Sequence, residues 1–278
     1  MKHQVGLALS GGGARGLAHI GVLSVLEEAG IAVDCLAGTS MGGVIGAGYA
    51  AGMTPAQLKE EALRMSNPRC LLPLLDLSLA RRGLLKGDKV YEYVARFLGE
   101  RTFADLRLPL TLVAVDLNTA REVHLAQGRV ADAVRATIAV PGIFAPVMRG
   151  GQLLVDGGVL NNLPADVVRE MGAQMVIAVD VLTGGAGRTG GAGQNGAALP
   201  GGLSNTVDLC SRSLMVMMVE IQRHRMRNAR PQVLLEPAIP AEIGALTGFT
   251  RAAEIIAAGK EAAREALPRI EALLNADG

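Results

Sequence analysis

The stretch Cys35-Leu-Ala-Gly-Thr-Ser-Met-Gly-Gly-Val-Ile-Gly46 reads as a buried strand that turns sharply through a serine into a glycine-rich helix. Gly38, Ser40 and Gly42 spell G-x-S-x-G. A hydroxyl held up on a tight strand-to-helix turn needs neighbours without bulk two positions to either side, because the strained backbone leaves no room for side chains. Met41 opens the helix, so the first unpaired N–H groups and the positive end of the helix dipole face the place where an oxyanion would form. Taken alone, the pattern fits a plain Gly/Ser turn equally well. Partners elsewhere in the chain decide between the two readings.

Outward from this turn the chain alternates strand and helix. Upstream, the apolar run Val5 to Ser10 ends in Gly11-Gly-Gly-Ala-Arg-Gly16, after which apolar residues follow helical spacing from Leu17 to Gly30. Ile31 to Ala37 is expected as the second strand. Downstream, Thr54-Pro-Ala-Gln57 carries a capping-box start with proline at the first helical position, for a helix to about Met65. Helices are expected over Asp88 to Leu98, Val130 to Ile138, Pro164 to Met171, Ser204 to Ala229 and Arg251 to Leu274. Strands are expected at Leu110 to Asp116, Val123 to Leu125, Leu153 to Val155, Met175 to Val181 and Val233 to Leu235. Such alternation implies a parallel sheet. Thr183 to Gly202 is glycine-rich and reads as a flexible surface connection, with no change of architecture across it, so one domain over residues 1–278 is expected.

Composition narrows the function classes. With 27 basic against 26 acidic residues the net charge is +1, which encodes no general attraction to nucleic acid. The cysteines Cys35, Cys70 and Cys210 show no metal-type spacing, and free thiols without a recognisable secretory leader point to a cytoplasmic setting. The uncharged run from Cys35 to Leu58 is long enough to span a bilayer, but its glycines, Thr39, Ser40, Thr54 and Pro55 and its lack of flanking aromatic anchors mark it as buried in protein.

The loop Gly11 to Gly16 matches G-x-G-x-x-G and invites a dinucleotide-binding reading, with Asp34 at about the required separation. Asp34 precedes the second strand instead of following it, which is the wrong end for a ribose-binding acid. The other reading is an oxyanion loop. Backbone N–H groups of Gly11, Gly12 and Gly13 emerge at the same sheet edge as Ser40, and Arg15 stiffens the loop. A nucleophilic serine needs a base, and none of the four histidines is well placed: His3 is terminal, His19 lies in the first helix, His124 follows the Asp116 segment, and His224 stands among arginines. Asp156 ends a buried strand and is followed by Gly157 and Gly158, which allow close backbone approach. Desolvation there would raise its pKa toward that of a useful base, and a Ser40–Asp156 dyad is the preferred reading. A carboxylate is a weaker base than imidazole and suits cleavage of esters better than amides.

Three motifs now stand in order, and in that order the chain resembles the patatin-like phospholipases, including the bacterial members similar to the catalytic domain of neuropathy target esterase. Gly11-Gly-Gly-Ala-Arg-Gly16 looks like the family's oxyanion motif, Gly38-Thr-Ser-Met-Gly42 its nucleophile elbow, and Asp156-Gly-Gly158 its D-G-[GA] motif. Leu112 to Asp116, Arg135 to Phe144 and Asn161-Asn-Leu-Pro164 look like family core segments, and Ala120 stands where a family glycine is expected. The resemblance implies a three-layer α/β/α sandwich with a mostly parallel central sheet. It also implies hydrolysis of lipid acyl esters through an acyl-enzyme, without metal or cofactor. Ser40 would be the nucleophile, Asp156 the base, and the Gly12, Gly13 and Met41 amides the oxyanion donors, supported by Gly16. A weakly catalytic lipid-binding or regulatory module on the same fold is the alternative.

Such a substrate sits in a membrane, so some surface is expected to make peripheral contact with lipid at the inner membrane. Cys70 to Leu85 is rich in leucine, lacks a clean period and contains Pro73 and the pair Arg81-Arg82. It is read as a flap over the serine, its leucines entering the acyl region and its arginines meeting anionic head groups. The plainer reading is a small satellite core.

Overall fold

Alternate residues of the central strands differ in size, and that difference builds the layers. The computed structural model describes residues 4–74, 85–183, 203–245 and 247–276. Its strands are β1 (Val5–Leu9), β2 (Cys35–Thr39), β3 (Leu110–Asp116), β4 (Arg121–Leu125), β5 (Val147–Arg149), β6 (Gln152–Asp156), β7 (Met175–Val179) and β8 (Val233–Leu235). The helices are α1 (Ala18–Glu28), α2 (Met41–Ala50), α3 (Pro55–Met65), α4 (Pro68–Leu71), α5 (Asp88–Leu98), α6 (Val130–Thr137), α7 (Ala165–Glu170), α8 (Leu203–Ala229) and α9 (Ala252–Asn275). On one sheet face, Leu7, Leu9, Leu36, Leu112, Ile177 and Val179 form a core with Ile20 and Leu23 of α1 and Ile255 and Ile256 of α9. On the other face, the smaller Ala8, Cys35, Ala37 and Ala178 meet Val167 and Val168 of the short α7 and Ala229 of α8. Apolar burial on both faces is what a parallel sheet requires, and the result is the expected α/β/α sandwich.

β8, β7, β1, β2 and β3 lie side by side in that order, all parallel. The remaining strands are antiparallel, and their register positions the site. Ala114 and Val115 of β3 pair with both β4 and β6, while Leu112 and Val113 pair with both β4 and β2. A strand has only two edges, so β4 holds one and β2 and β6 share the other, end to end. β2 runs up that edge to Thr39, opposite Val113, and β6 runs down it to Asp156, opposite Ala114. The carboxyl ends of two strands far apart in sequence therefore meet.

Several boundaries differ from the sequence expectation. β2 begins at Cys35 instead of Ile31 because pairing with β1 starts at Gly6 and Cys35, and Asp34 caps the end by accepting the Val5 N–H at 2.7 Å. The first helix is preceded by a tighter 3-10 turn over Gly13–Leu17. The Thr54 capping box forms as expected, the side chain accepting from the Gln57 N–H. Of the leucine-rich segment, α4 and a 3-10 turn over Leu72–Leu74 are described, with Leu72 exposed. The rest of the expected flap, 75–84, and the glycine tract from 184 to 202 lie outside the described residues. No helix among the described residues is long and apolar enough to cross a membrane.

Ala120 closes the β3–β4 turn at a φ of 54°, where a side chain is strained. Asp116 locks the same turn, its carboxylate accepting from the Asn118 N–H at 3.1 Å and the Thr119 hydroxyl at 2.8 Å. Ala120→Gly is accordingly expected to raise the unfolding free energy by about 0.5–1 kcal/mol. Chemical denaturation would detect this as a higher midpoint at unchanged slope.

Candidate active site

Ser40 leaves β2 with φ 53° and ψ −124°, a backbone conformation that non-glycine residues seldom adopt and that costs about 1–3 kcal/mol. Close packing enforces it. A Cβ on Gly42 would lie 2.3 Å from the Leu9 carbonyl oxygen, so the first turn of α2 sits against the end of β1 with no side chain between them. The Ser40 N–H donates to the Thr137 hydroxyl at 3.0 Å, and that hydroxyl donates in turn to the Val113 carbonyl at 2.5 Å. Thr137 thus ties the elbow to β3 at the point where β2 ends. The Ser40 carbonyl accepts the Val44 N–H, which starts α2, and among the described residues the Met41, Gly42 and Gly43 N–H groups remain the unpaired first-turn donors.

Asp156 is only 3% exposed. Its Oδ1 accepts the Gly158 N–H at 2.7 Å, while Oδ2 is buried without a hydrogen-bond partner among the described residues. Burial pushes the carboxyl up to about 6, against the opposing pull of the adjacent Ser40 hydroxyl and the Gly158 amide. The Ser40 hydroxyl is close enough to favour the charged form of the carboxyl. Gly157 permits this packing, since a Cβ there would stand 2.4 Å from the Val113 carbonyl oxygen.

The glycine loop follows β1 at the same sheet edge as Ser40. The Gly11 N–H is spent on the Asn162 carbonyl at 3.0 Å, so Gly11 lines the loop without offering a donor. Ala14 donates to the Ala245 carbonyl at 2.7 Å and Arg15 to the Gly12 carbonyl at 3.2 Å. Among the described residues the Gly12 and Gly13 N–H groups have no hydrogen-bond partner. Gly16 packs against Met41, where a Cβ would come within 2.5 Å of that side chain. The Arg15 side chain turns away into the protein, its Nε donating to the Val181 carbonyl at 2.8 Å.

The histidines fall elsewhere, apart from His3, which lies outside the described residues. His19 is buried beneath the glycine loop and donates through Nε2 to the Ser10 carbonyl at 2.8 Å; burial lowers it to about 4, so it is neutral near pH 7. His124 bonds Glu122 at 2.9 Å on the outer strand β4, and its pKa is raised by that partner. Asp34 stands at the opposite end of the strands from Ser40, consistent with its capping role. Among the described residues no group of three His, Cys, Asp or Glu is arranged to hold a metal ion.

Thr137 and Asn162 support the site but were not singled out from the sequence. Each lies in a segment whose resemblance to family core was noted, Arg135–Phe144 and Asn161–Pro164, and that was the available signal.

Fold and site together define a three-layer α/β/α protein organised around a serine elbow that faces a buried aspartate. The patatin-like phospholipase family model matches residues 7–169, and the chain belongs to that family. It is 40% identical over 180 residues to an NTE family protein of Mycobacterium tuberculosis, covering 64% of this chain and 49% of that one. It is 41% identical over 182 residues to patatin-like phospholipase domain-containing protein 6 of Homo sapiens, covering 64% of this chain and 13% of that one. The matched region thus spans about half of the first relative and a small part of the second. Among solved structures, VipD from Legionella pneumophila superposes with a TM-score of 0.53 at 13% identity, over 97% of this chain and 67% of its own. The type III effector ExoU gives 0.50 at 12% identity, over 97% of this chain and 53% of its own. These two likenesses concern the fold.

Proposed function

We propose that the protein is a serine hydrolase of acyl esters in lipids, with Ser40 as nucleophile and Asp156 as its base. The observation that carries this reading is the end-to-end meeting of β2 and β6 on one edge of β3, which sets a strained serine beside a desolvated carboxylate. Family membership supports the lipid substrate class. Asp156 takes the hydroxyl proton as Ser40 Oγ attacks the acyl carbonyl. The oxyanion that forms accepts hydrogen bonds from the Gly12, Gly13 and Met41 N–H groups, aided by the positive end of α2. Collapse breaks the ester bond, and the departing alcohol takes the proton from Asp156. Water then attacks the acyl-enzyme while Asp156 takes one of its protons; collapse breaks the Ser40 Oγ–acyl bond, Ser40 recovers that proton from Asp156, and the fatty acid is freed.

The test is turnover. Purified protein incubated with lysophospholipid, phospholipid, glyceride and nitrophenyl ester panels should release fatty acid and alcohol in equal amounts. A panel with no turnover would instead favour a lipid-binding or regulatory role on this fold.

Peripheral contact with a lipid surface belongs to the same proposal. Leu72 is 61% exposed in the turn after α4, so its apolar side chain is available to such a surface. Leu72→Ser is expected to slow hydrolysis of vesicle substrate severalfold while leaving a soluble short-chain ester within about twofold. Equal losses on both substrates would assign Leu72 to packing.

A further inference from the structure

α8 is a helix of 27 residues, about 40 Å long, whose described side chains are mostly exposed or half-buried: Leu209, Val216 and Met217 are 65%, 67% and 54% exposed. Among its described side chains only Gln222 and Ala229 are fully buried. Burying an amide is unfavourable unless its hydrogen bonds are made, so the destination of Gln222 is informative. Its Nε2 donates to Asp180 Oδ2 at 2.5 Å, and its Oε1 accepts from Asn162 Nδ2 at 2.7 Å. Asn162 Nδ2 also reaches the Gly11 carbonyl at 3.3 Å, and the Asn162 carbonyl accepts the Gly11 N–H at 3.0 Å.

The direction of this chain is fixed by chemistry. A carboxylate only accepts hydrogen bonds, so Asp180 forces the NH2 of Gln222 toward itself. The Gln222 oxygen is thereby presented to Asn162, whose NH2 must turn toward it. Asn162 Oδ1 is left packed against the glycines, occupying space that a Cβ on Gly11 or Gly158 would need, at 2.5 and 3.0 Å. Asp180 is itself held by the Leu182 and Thr183 N–H groups at 2.9 and 3.1 Å. A rigid anchor at the end of β7 is thus linked through one glutamine to both backbone groups of Gly11, next to the unpaired Gly12 and Gly13 donors.

We propose that Gln222 is a positioning residue for acyl transfer, holding the oxyanion loop in register with Ser40 through Asn162. This rests on the reading of Ser40 as nucleophile. A displacement of about 1 Å in a catalytic group is enough to cost on the order of 100-fold in rate. Gln222→Met keeps the volume and removes both hydrogen bonds. With a soluble nitrophenyl butyrate substrate, kcat per serine titrated by a fluorophosphonate should fall about 10- to 100-fold, with KM within about threefold. Asp180→Asn, which keeps the shape but removes the charge that orders the amides, should lower kcat in the same sense by a smaller factor. It stands in for Gln222→Met should that variant not fold. Arg225→Ala is the comparator. It loosens α8 from Glu122 and Asp166 without touching the chain of amides, and should keep the wild-type kcat per titrated serine even at a lower Tm. Wild-type kcat per site in the Gln222 and Asp180 variants, or an equal fall in Arg225→Ala, would overturn the proposal. Wild-type protein with no titratable serine would overturn the nucleophile reading beneath it, and the proposal with it.

Discussion

Ser40→Ala is expected to lower kcat on any acyl ester substrate by on the order of 10⁴-fold or more while leaving the fold intact. The hydroxyl is the group that forms the covalent bond in the proposed reaction, so no neighbour replaces it. Structure survives because the elbow is held by its backbone: the Ser40 N–H to Thr137, the carbonyl to Val44, and Gly42 against Leu9. Alanine carries the same strain at φ 53° as serine, so the midpoint of unfolding should move little. Circular dichroism and a denaturation curve beside the kinetics would separate lost chemistry from lost folding.

Asp156→Asn is expected to lower kcat/KM by about 10²–10⁴-fold and at the same time stabilise the protein at neutral pH. The carboxyl is 3% exposed and stands at about 6 in the folded state against 3.8 for an ordinary aspartate. Between those values the folded protein holds its proton more tightly than the unfolded chain. The contribution to stability is therefore present in acid and lost as pH rises from about 4 to about 6, reaching a cost on the order of 3 kcal/mol at pH 7. Asparagine retains an oxygen for the Gly158 N–H and carries no charge, so it should remove most of that cost. In the wild type, kcat/KM should rise with pH through about 6 and level off above, because only the charged carboxylate can take the serine proton. An activity profile flat through that range, or an asparagine variant less stable at pH 7, would remove Asp156 from the role of buried base.

The serine elbow was legible in the sequence because steric demands that severe leave a mark: glycines at 38 and 42 have backbone where a Cβ would go. The alternation of strands and helices was equally plain, since strands buried on both faces read as continuous apolar runs. What the sequence did not reveal was the register. That β2 and β6 share one edge of β3 depends on two pairings between segments more than thirty residues apart, with the β4 hairpin filling the other edge, and no local pattern encodes such a juncture. Nor did local pattern show that Gly11 spends its amide on Asn162 while Gly12 and Gly13 keep theirs, because all three glycines look alike in the chain. Gln222 was hidden for a related reason. Among the exposed and half-buried residues around it a glutamine reads as surface, and only packing against Asn162 and Asp180 makes it a buried link.

The most direct test of Ser40 as the nucleophile is to treat the intact protein with a fluorophosphonate, digest it, and locate the adduct by peptide mass spectrometry. A single adduct on Ser40, formed in step with loss of esterase activity and absent from Ser40→Ala, is the expected result. An adduct on any other residue that tracks the loss of activity, or esterase activity that persists in Ser40→Ala, would contradict it.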